Sequence, residues 1–376
     1  MLPLENIKIL DLSRLAAGNM VSHMFADFGA DVVKVEKPGK GDDLRNWKIN
    51  GVSHWWAVYS RNKRSISIDL KKDEGLDLLK ELVKKADVFI ENFVPGTLEK
   101  WGIGPEKLNQ LNKNLIILRI SGWGQTGIFK NAPGFGSLVE GMSGFAAMTG
   151  EENQAPLLPP LALADMVAGL TGFGAILMAI LASKKNNTGG QVIDLSLFEP
   201  FFSILGPWAA SYKISGKIPA RIGNRSNVAA PRGIYKTKDN KYVSLSASMQ
   251  SMWEKLALTI GSSDLINDPR FLTNSDRLNN QDDLDKPISK FIKKYNREEV
   301  LNIFSKEGIT VGPVLDISEI IEHPYIHDRE VLIDHFNKEY GNVLMHQAFP
   351  RLSKTPGKIR NSAPALGDDT IVVLKE

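Results

Sequence analysis

The sequence predicts an α/β protein, with a Rossmann-like parallel sheet in a large domain and a smaller α+β domain beside it. Three observations carry this. Short β-branched runs alternate with amphipathic stretches through the N-terminal half, as in strands linked in parallel by crossover helices. The 376 residues exceed what one hydrophobic core usually serves. From about Ser211 the texture shifts to a Gly-, Pro- and Arg-bearing linker (SYKISGKIPARIGNRSNVAAPRG), then to a hairpin and helices.

Ile7–Leu12 reads as a buried strand, Ala16–Phe28 as a helix closed by Gly29, and Asp31–Glu36 (DVVKVE) as a second strand, together a βαβ unit. The loop SRLAAGN holds one glycine, not the G-x-G-x-x-G that cradles a dinucleotide pyrophosphate, so Glu36 only superficially resembles a ribose-binding acid. EKPGKGDDLRNW is loop, RNKRSISIDL a strand after a basic cluster, and KKDEGLDLLKELVKKA a helix with acids early and lysines late, as its dipole favours. DVFIENF and NLIILRISGWG are further strands, and Met166–Ala182 is an apolar core helix. Past it lie the turn SKKNNTGGQ, another apolar segment, and a hairpin (GIYKTKDNKYVSLSAS) turning at Asp239-Asn240. Helices follow at Met252–Ile260, Asp283–Tyr295 and Glu298–Lys306. The divisions expected are 1–210 for the N-terminal part of the large domain, 211–329 for the linker and small domain, and 330–376 for a tail of loops and short strands.

Composition excludes several classes. A net charge of +3 from 46 basic and 43 acidic residues is too balanced for a nucleic-acid binder held by phosphate contacts. With no cysteine there are no disulfides, thiolates or Cys-based metal sites. No signal-peptide pattern opens the sequence, and the uncharged run Met166–Ser183 carries three glycines without an aromatic belt. A core helix is expected there rather than a membrane span, and a cytoplasmic location for the protein.

Two features bear on chemistry. Lys37, Arg45, Arg61, Lys63, Arg64, Lys71, Lys72 and Lys100 cluster near strand ends. Each alone reads as a solvated rim residue; together, where α/β sheets bind ligands, they suggest a phosphate-bearing small molecule. Asp165 is the one charge between Glu152 and Lys184, in a field of Leu, Ala, Met, Val, Ile and Gly. Such a carboxylate is costly to ionise unless something stabilises it. It reads as the N-cap of the following helix, as a carboxylate nucleophile, or as both. No histidine lies between His54 and His323, and HPYIHD (His323–Asp328) offers two without a third ligand, so no metal site is expected. G-x-S-x-G and Walker loops are absent.

The strings LDLSRLAAG, ADFGADVVKVEKPGKGDDLR, RNKRSISIDLK, ADVFIENFVPGTLEKWGIG, ISGWGQTG, LALADMVAGLTG and GGQVIDLSLFE, in this order, resemble the class III CoA-transferases of the formyl-CoA and carnitine CoA-transferase type. The resemblance is specific from Leu10 to about Leu205 and weaker beyond. It implies that the C-terminal tail returns to the large domain and that two copies form an interlocked homodimer. CoA and acyl-CoA are then substrates rather than tightly bound cofactors, and a small carboxylic acid is the second partner. Asp165 falls at the catalytic aspartate, with CoA contacts at Ala16, Ala17, Lys37, Ile68, Lys71, Asn92, Phe93, Val94 and Lys100.

The implied reaction moves CoA from an acyl-CoA to a free carboxylic acid through aspartyl anhydride and aspartyl-CoA thioester intermediates. Val94 stands where many members are basic and Lys100 where many carry Arg. Ala16 replaces the glutamine of formyl-CoA transferase, and its run of four glycines is missing, which disfavours oxalate and formyl-CoA. The α-methylacyl-CoA racemases share the fold, but Phe135 of PGFG stands where they place histidine. A nicotinamide-dependent dehydrogenase lacks its glycine fingerprint here, and a non-catalytic CoA-binding scaffold is the remaining alternative.

Overall fold

A computed structural model of the chain describes residues 1–376. They divide into two compact units, one of Met1–Ala146, Leu158–Ser211 and His327–Glu376, the other of Ala147–Leu157 and Tyr212–Ile326. The sequence reading placed 147–157 in the large domain. These residues join the second unit because the Arg221 guanidinium donates to the carbonyls of Ala147, Glu151, Glu152 and Gln154 over 2.9–3.4 Å, and Gly223 N donates to Gly150 O at 2.9 Å.

The first unit is built on six strands, β1 (Lys8–Asp11), β2 (Asp31–Glu36), β3 (Arg64–Ser67), β4 (Val88–Glu91), β5 (Ile116–Ser121) and β6 (Val192–Ser196). Their order is β3-β2-β1-β4-β5-β6, and every pairing is parallel. The eight helices up to residue 186 are α1 (Leu15–Asp27), α2 (His54–Tyr59), α3 (Asp73–Lys85), α4 (Thr97–Lys100), α5 (Pro105–Leu111), α6 (Gly136–Met142), α7 (Phe145–Met148), whose last two residues belong to the second unit, and α8 (Leu163–Asn186). Successive strand residues point to opposite faces, and both faces are apolar, so the sheet must be covered twice. Ile9, Val88, Ile90, Ile116, Leu118 and Ile120 face α1 and α8 through Val21, Phe25, Ala168 and Ile176. Leu10, Val33, Val35, Phe89 and Ile117 face α3 and α5 through Leu79, Val83 and Leu108. The tail adds Val373 to this second layer and a hairpin of β10 (Leu332–Asn337) and β11 (Gly341–His346), whose Val343 and Met345 pack on Ala57 of α2.

The glycines of α8 are packing residues. A side chain on Gly169 would meet Met20 Cβ at 2.6 Å and Ala17 O at 3.0 Å, and one on Gly172 would meet Val21 Cγ2 at 3.0 Å, so their absence lets α8 lie close against α1. The helix is long and apolar enough to cross a membrane by length and composition. One side of it is built into the core. It is longer than the sequence suggests, and it is not buried all round: Leu170, Met178 and Leu181 are 44%, 68% and 52% exposed.

The second unit holds a three-stranded antiparallel sheet of β7 (Arg232–Lys236), β8 (Tyr242–Ser246) and β9 (Val311–Val314). Its hairpin turns at the expected Asp239-Asn240, with Asn240 left-handed at φ 60°. Helices Gln250–Thr259, Gln281–Ile292 and Arg297–Lys306 bury Trp253, Leu256, Leu284, Ile288 and Phe304 against Val243 and Leu245.

Candidate active site

Strand order reverses between β1 and β4, and open α/β sheets bind ligands beyond the carboxyl ends of their strands at such a point. Two cavities open there. The first, of about 490 Å³, is walled by segments that follow β1 (Leu12–Arg14), β2 (Lys37, Lys40), β3 (Ile68–Lys71) and β4 (Phe93, Val94), with Trp101. The second, of about 440 Å³, takes Arg14, Ala17, Asn92 to Pro95, Ile120 to Trp123, Lys130 to Phe135 and Leu197, and holds Asp165. Arg14, Asp43, Phe93 and Val94 line both, so the two form one groove.

Positive charge is in excess in the first cavity. Three of its acids are paired, Glu36 with Arg45 at 2.8 Å, Asp42 with Lys34 at 3.0 Å and Asp43 with Arg14 at 3.7 Å, and the fourth, Asp69, accepts from Lys71 N at 3.1 Å. Lys37, Lys40 and Lys71 are exposed and form no ion pair, so they are free to meet phosphates. Glu36 also accepts from Asp42 N and Ser65 Oγ, which leaves it nothing to offer a ribose.

Beneath the groove lies a buried ionic frame. Lys34 Nζ stands 3.2 Å from Asp11 Oδ1 and also donates to Ser13 O; Lys63 Nζ donates to Asn19 Oδ1 at 2.9 Å and stands 3.7 Å from Asp11 Oδ2. Burial pushes Lys63 down to about 7, against the pull of Asp11; Lys34, with Asp11 and Asp42 beside it, is held above the usual lysine range despite its burial. The frame fixes the turn between the cavities. Leu15 sits at φ 60°, a left-handed conformation that side chains with a Cβ rarely adopt, and is held there by Asp42 Oδ1 accepting from Leu15 N at 2.9 Å. Asn92 clamps the preceding residue twice, accepting from Arg14 N at 2.8 Å and donating to Arg14 O at 2.7 Å.

Asp165 is the third residue of α8, whose N-cap is Ala162. It is therefore not the cap that the sequence also allowed. The capping acceptor is Glu140, which is buried on α6 and takes Ala164 N at 3.1 Å. Burial first, and then the charge of Glu140, push Asp165 up to about 6. Gly136 is what allows the approach, because a methyl group there would run into Asp165 Oδ2. The result is a carboxylate that faces an apolar wall of Ala17, Ile120, Phe135 and Leu197 and ionises just below neutrality.

The structure brings together most of the residues singled out from sequence. Lys37, Ile68, Lys71, Phe93 and Val94 line the first cavity, and Ala17, Asn92, Phe93, Val94 and Asp165 the second. Ala16 is buried and lines neither, and exposed Lys100 lies outside both, next to Trp101. Four of the basic residues are not free for a ligand. Arg61 pairs with Asp27 at 2.6 Å, Arg64 with Asp31 at 2.6 Å and Glu376 at 2.9 Å, Arg45 with Glu36, and Lys63 belongs to the buried frame. Sequence reasoning missed Arg14, Lys40, Lys130 and Glu140.

Comparison with known proteins defines the class. The chain matches the sequence profile of CoA-transferase family III over residues 4–370. It belongs to that family, whose members move CoA between an acyl-CoA and a carboxylic acid. It is 36% identical to succinyl-CoA–D-citramalate CoA-transferase of Chloroflexus aurantiacus, over 97% of this chain and 91% of that one. Identity to human succinyl-CoA:glutarate CoA-transferase is 32%, covering 100% and 86%. A CAIB/BAIF family protein from Brucella suis superposes with a TM-score of 0.87 at 32% identity, covering 99% of this chain and 98% of the other.

Proposed function

We propose that Asp165 is the nucleophile of a CoA exchange that runs through covalent intermediates. The observation that carries this is a partly buried carboxylate without a cationic partner, at the end of a groove whose other end presents three unpaired lysines. Phosphates of CoA occupy the lysine end, and the pantetheine arm runs past Arg14 and Phe93 to bring the thioester to Asp165. One carboxylate oxygen attacks the acyl carbon and displaces CoA thiolate, leaving an acyl-aspartyl anhydride. The thiolate then attacks the aspartyl carbonyl, which releases the donor acid and leaves an aspartyl-CoA thioester. The acceptor carboxylate reverses both steps. Both intermediates are prone to hydrolysis, and the apolar wall serves to keep water from them. By likeness to the relatives named above, succinyl-CoA is the donor to try first and dicarboxylic acids the acceptors. Two copies interlock as a homodimer, a reading supported by the apolar side chains that α8 leaves exposed.

Incubation with an acyl-CoA followed by hydroxylamine should leave a hydroxamate on the Asp165 peptide. Asp165→Ala should bind CoA yet exchange nothing. Deuterium entering the α-position of the acyl group with no trapped adduct would instead establish a racemase, a reading that Phe135 opposes because its ring carries no exchangeable proton.

A further inference from the structure

We propose that Lys130 is a specificity residue: it reads a carboxylate at the far end of the acyl group, so the Asp165 cavity selects acyl groups derived from diacids. This rests on the assignment of Asp165 as nucleophile and adds the residue that chooses what Asp165 carries.

Lys130 lies on a loop whose base is tied. Gly122 and Gly134 cross so closely that a Cβ on Gly122 would stand 2.5 Å from Gly134 Cα. Trp123 Nε1 donates to Pro133 O at 2.9 Å, and Gln125 N donates to Asp194 at 3.0 Å. The loop thus returns on itself and places Lys130, itself exposed, on the lining of the second cavity.

The charges of that cavity are few. Its ionisable lining residues are Arg14, Asp43, Lys130 and Asp165. Arg14 and Asp43 pair with each other, and Lys130 has no acidic partner. Before reaction ionised Asp165 offsets Lys130 in the count of lining charges, with Glu140 behind Asp165 and outside the lining. Acylation consumes the charge of Asp165, because its oxygen becomes bonded to an acyl carbon or its carbonyl to the CoA sulfur. Lys130 is then the unmatched charge on the exposed rim of a cavity that Ile120, Trp123, Phe135 and Leu197 also line, so its pull on a carboxylate is short-ranged and weakened by salt. An acyl group that ends in methyl leaves it unmatched; one that ends in carboxylate restores the balance. Donor and acceptor occupy this chamber in turn, so the same lysine reads both.

The test compares two substrate pairs of equal chain length, succinyl-CoA with glutarate and butyryl-CoA with pentanoate, by kcat/KM for CoA exchange. The unmodified protein should favour the diacid pair severalfold. Lys130→Gln should lower that ratio by about 2- to 5-fold, the loss expected for an exposed ion pair, and Lys130→Arg should keep most of it. Equal rates on the two pairs in the unmodified protein, or a Lys130→Gln variant that slows both pairs equally, would overturn the assignment of Lys130 while a trapped Asp165 adduct leaves the nucleophile standing. No exchange on either pair and no adduct would remove both.

Discussion

Replacing Asp165 by asparagine should make the protein more stable while it removes the nucleophile. The carboxyl titrates at about 6 in the folded chain against 3.8 as an ordinary aspartate. A raised carboxyl pKa means that the folded chain holds the proton more tightly, so ionised Asp165 destabilises the fold. About two pKa units at 1.36 kcal/mol each put the cost at ~3 kcal/mol at pH 7. The cost is full above about pH 6, shrinks through the window down to 3.8, and is gone below it. Asparagine keeps the shape and never ionises. Thermal melts should therefore show Asp165→Asn several degrees above the unmodified protein at pH 7, given roughly 2–4 °C per kcal/mol for a domain of this size. At pH 4 most of the gap should close. Equal melting temperatures at pH 7, or a gap that persists undiminished at pH 4, would refute the account of a carboxylate strained by burial.

The remaining predictions concern the groove. If ionised Asp165 is the attacking form, kcat/KM should rise with pH through an apparent pKa near 6. Glu140→Gln keeps an acceptor for Ala164 N but removes the neighbouring charge, so the rise should move to lower pH; an unmoved profile would mean that Glu140 does not bias the nucleophile. Lys37→Glu and Lys71→Glu should each weaken CoA binding in calorimetry, more at low salt than at high. Unchanged affinity in both variants would place the phosphates elsewhere.

Much of the scaffold was legible because burial on both faces leaves a plain mark: the runs DVVKVE, DVFIE and IILRIS are rich in Val, Ile and Phe, and each became a parallel strand. Asp165 was legible for the complementary reason, one charge in an apolar field. Partnership was not legible. Arg61, Lys63 and Arg64 look no different in sequence from Lys37 and Lys71, and what separates them is the company of Asp27, Asp11 and Glu376, brought in from other elements and from the far end of the chain. Glu140 was missed because SLVEGMS reads as an ordinary exposed turn of helix, and nothing local says that its carboxylate is buried against α8. Lys130 stood out no better, since its role depends on a loop base tied by residues on either side of it.

The buried frame under the groove has a consequence for how ionic strength acts on this protein. Asp11, Lys34 and Lys63 are almost wholly removed from solvent, whereas Lys37, Lys40 and Lys71 are exposed. Mobile ions crowd around exposed charges and shorten their reach to about 3 Å at 1 M salt, but they do not enter a packed interior. Concentrated salt therefore strips the grip on an anionic ligand while the turn that shapes the cradle, from Ser13 to Leu15, keeps its form. Release and unfolding are uncoupled, and a protein emptied by brine is ready to bind again when the brine is diluted.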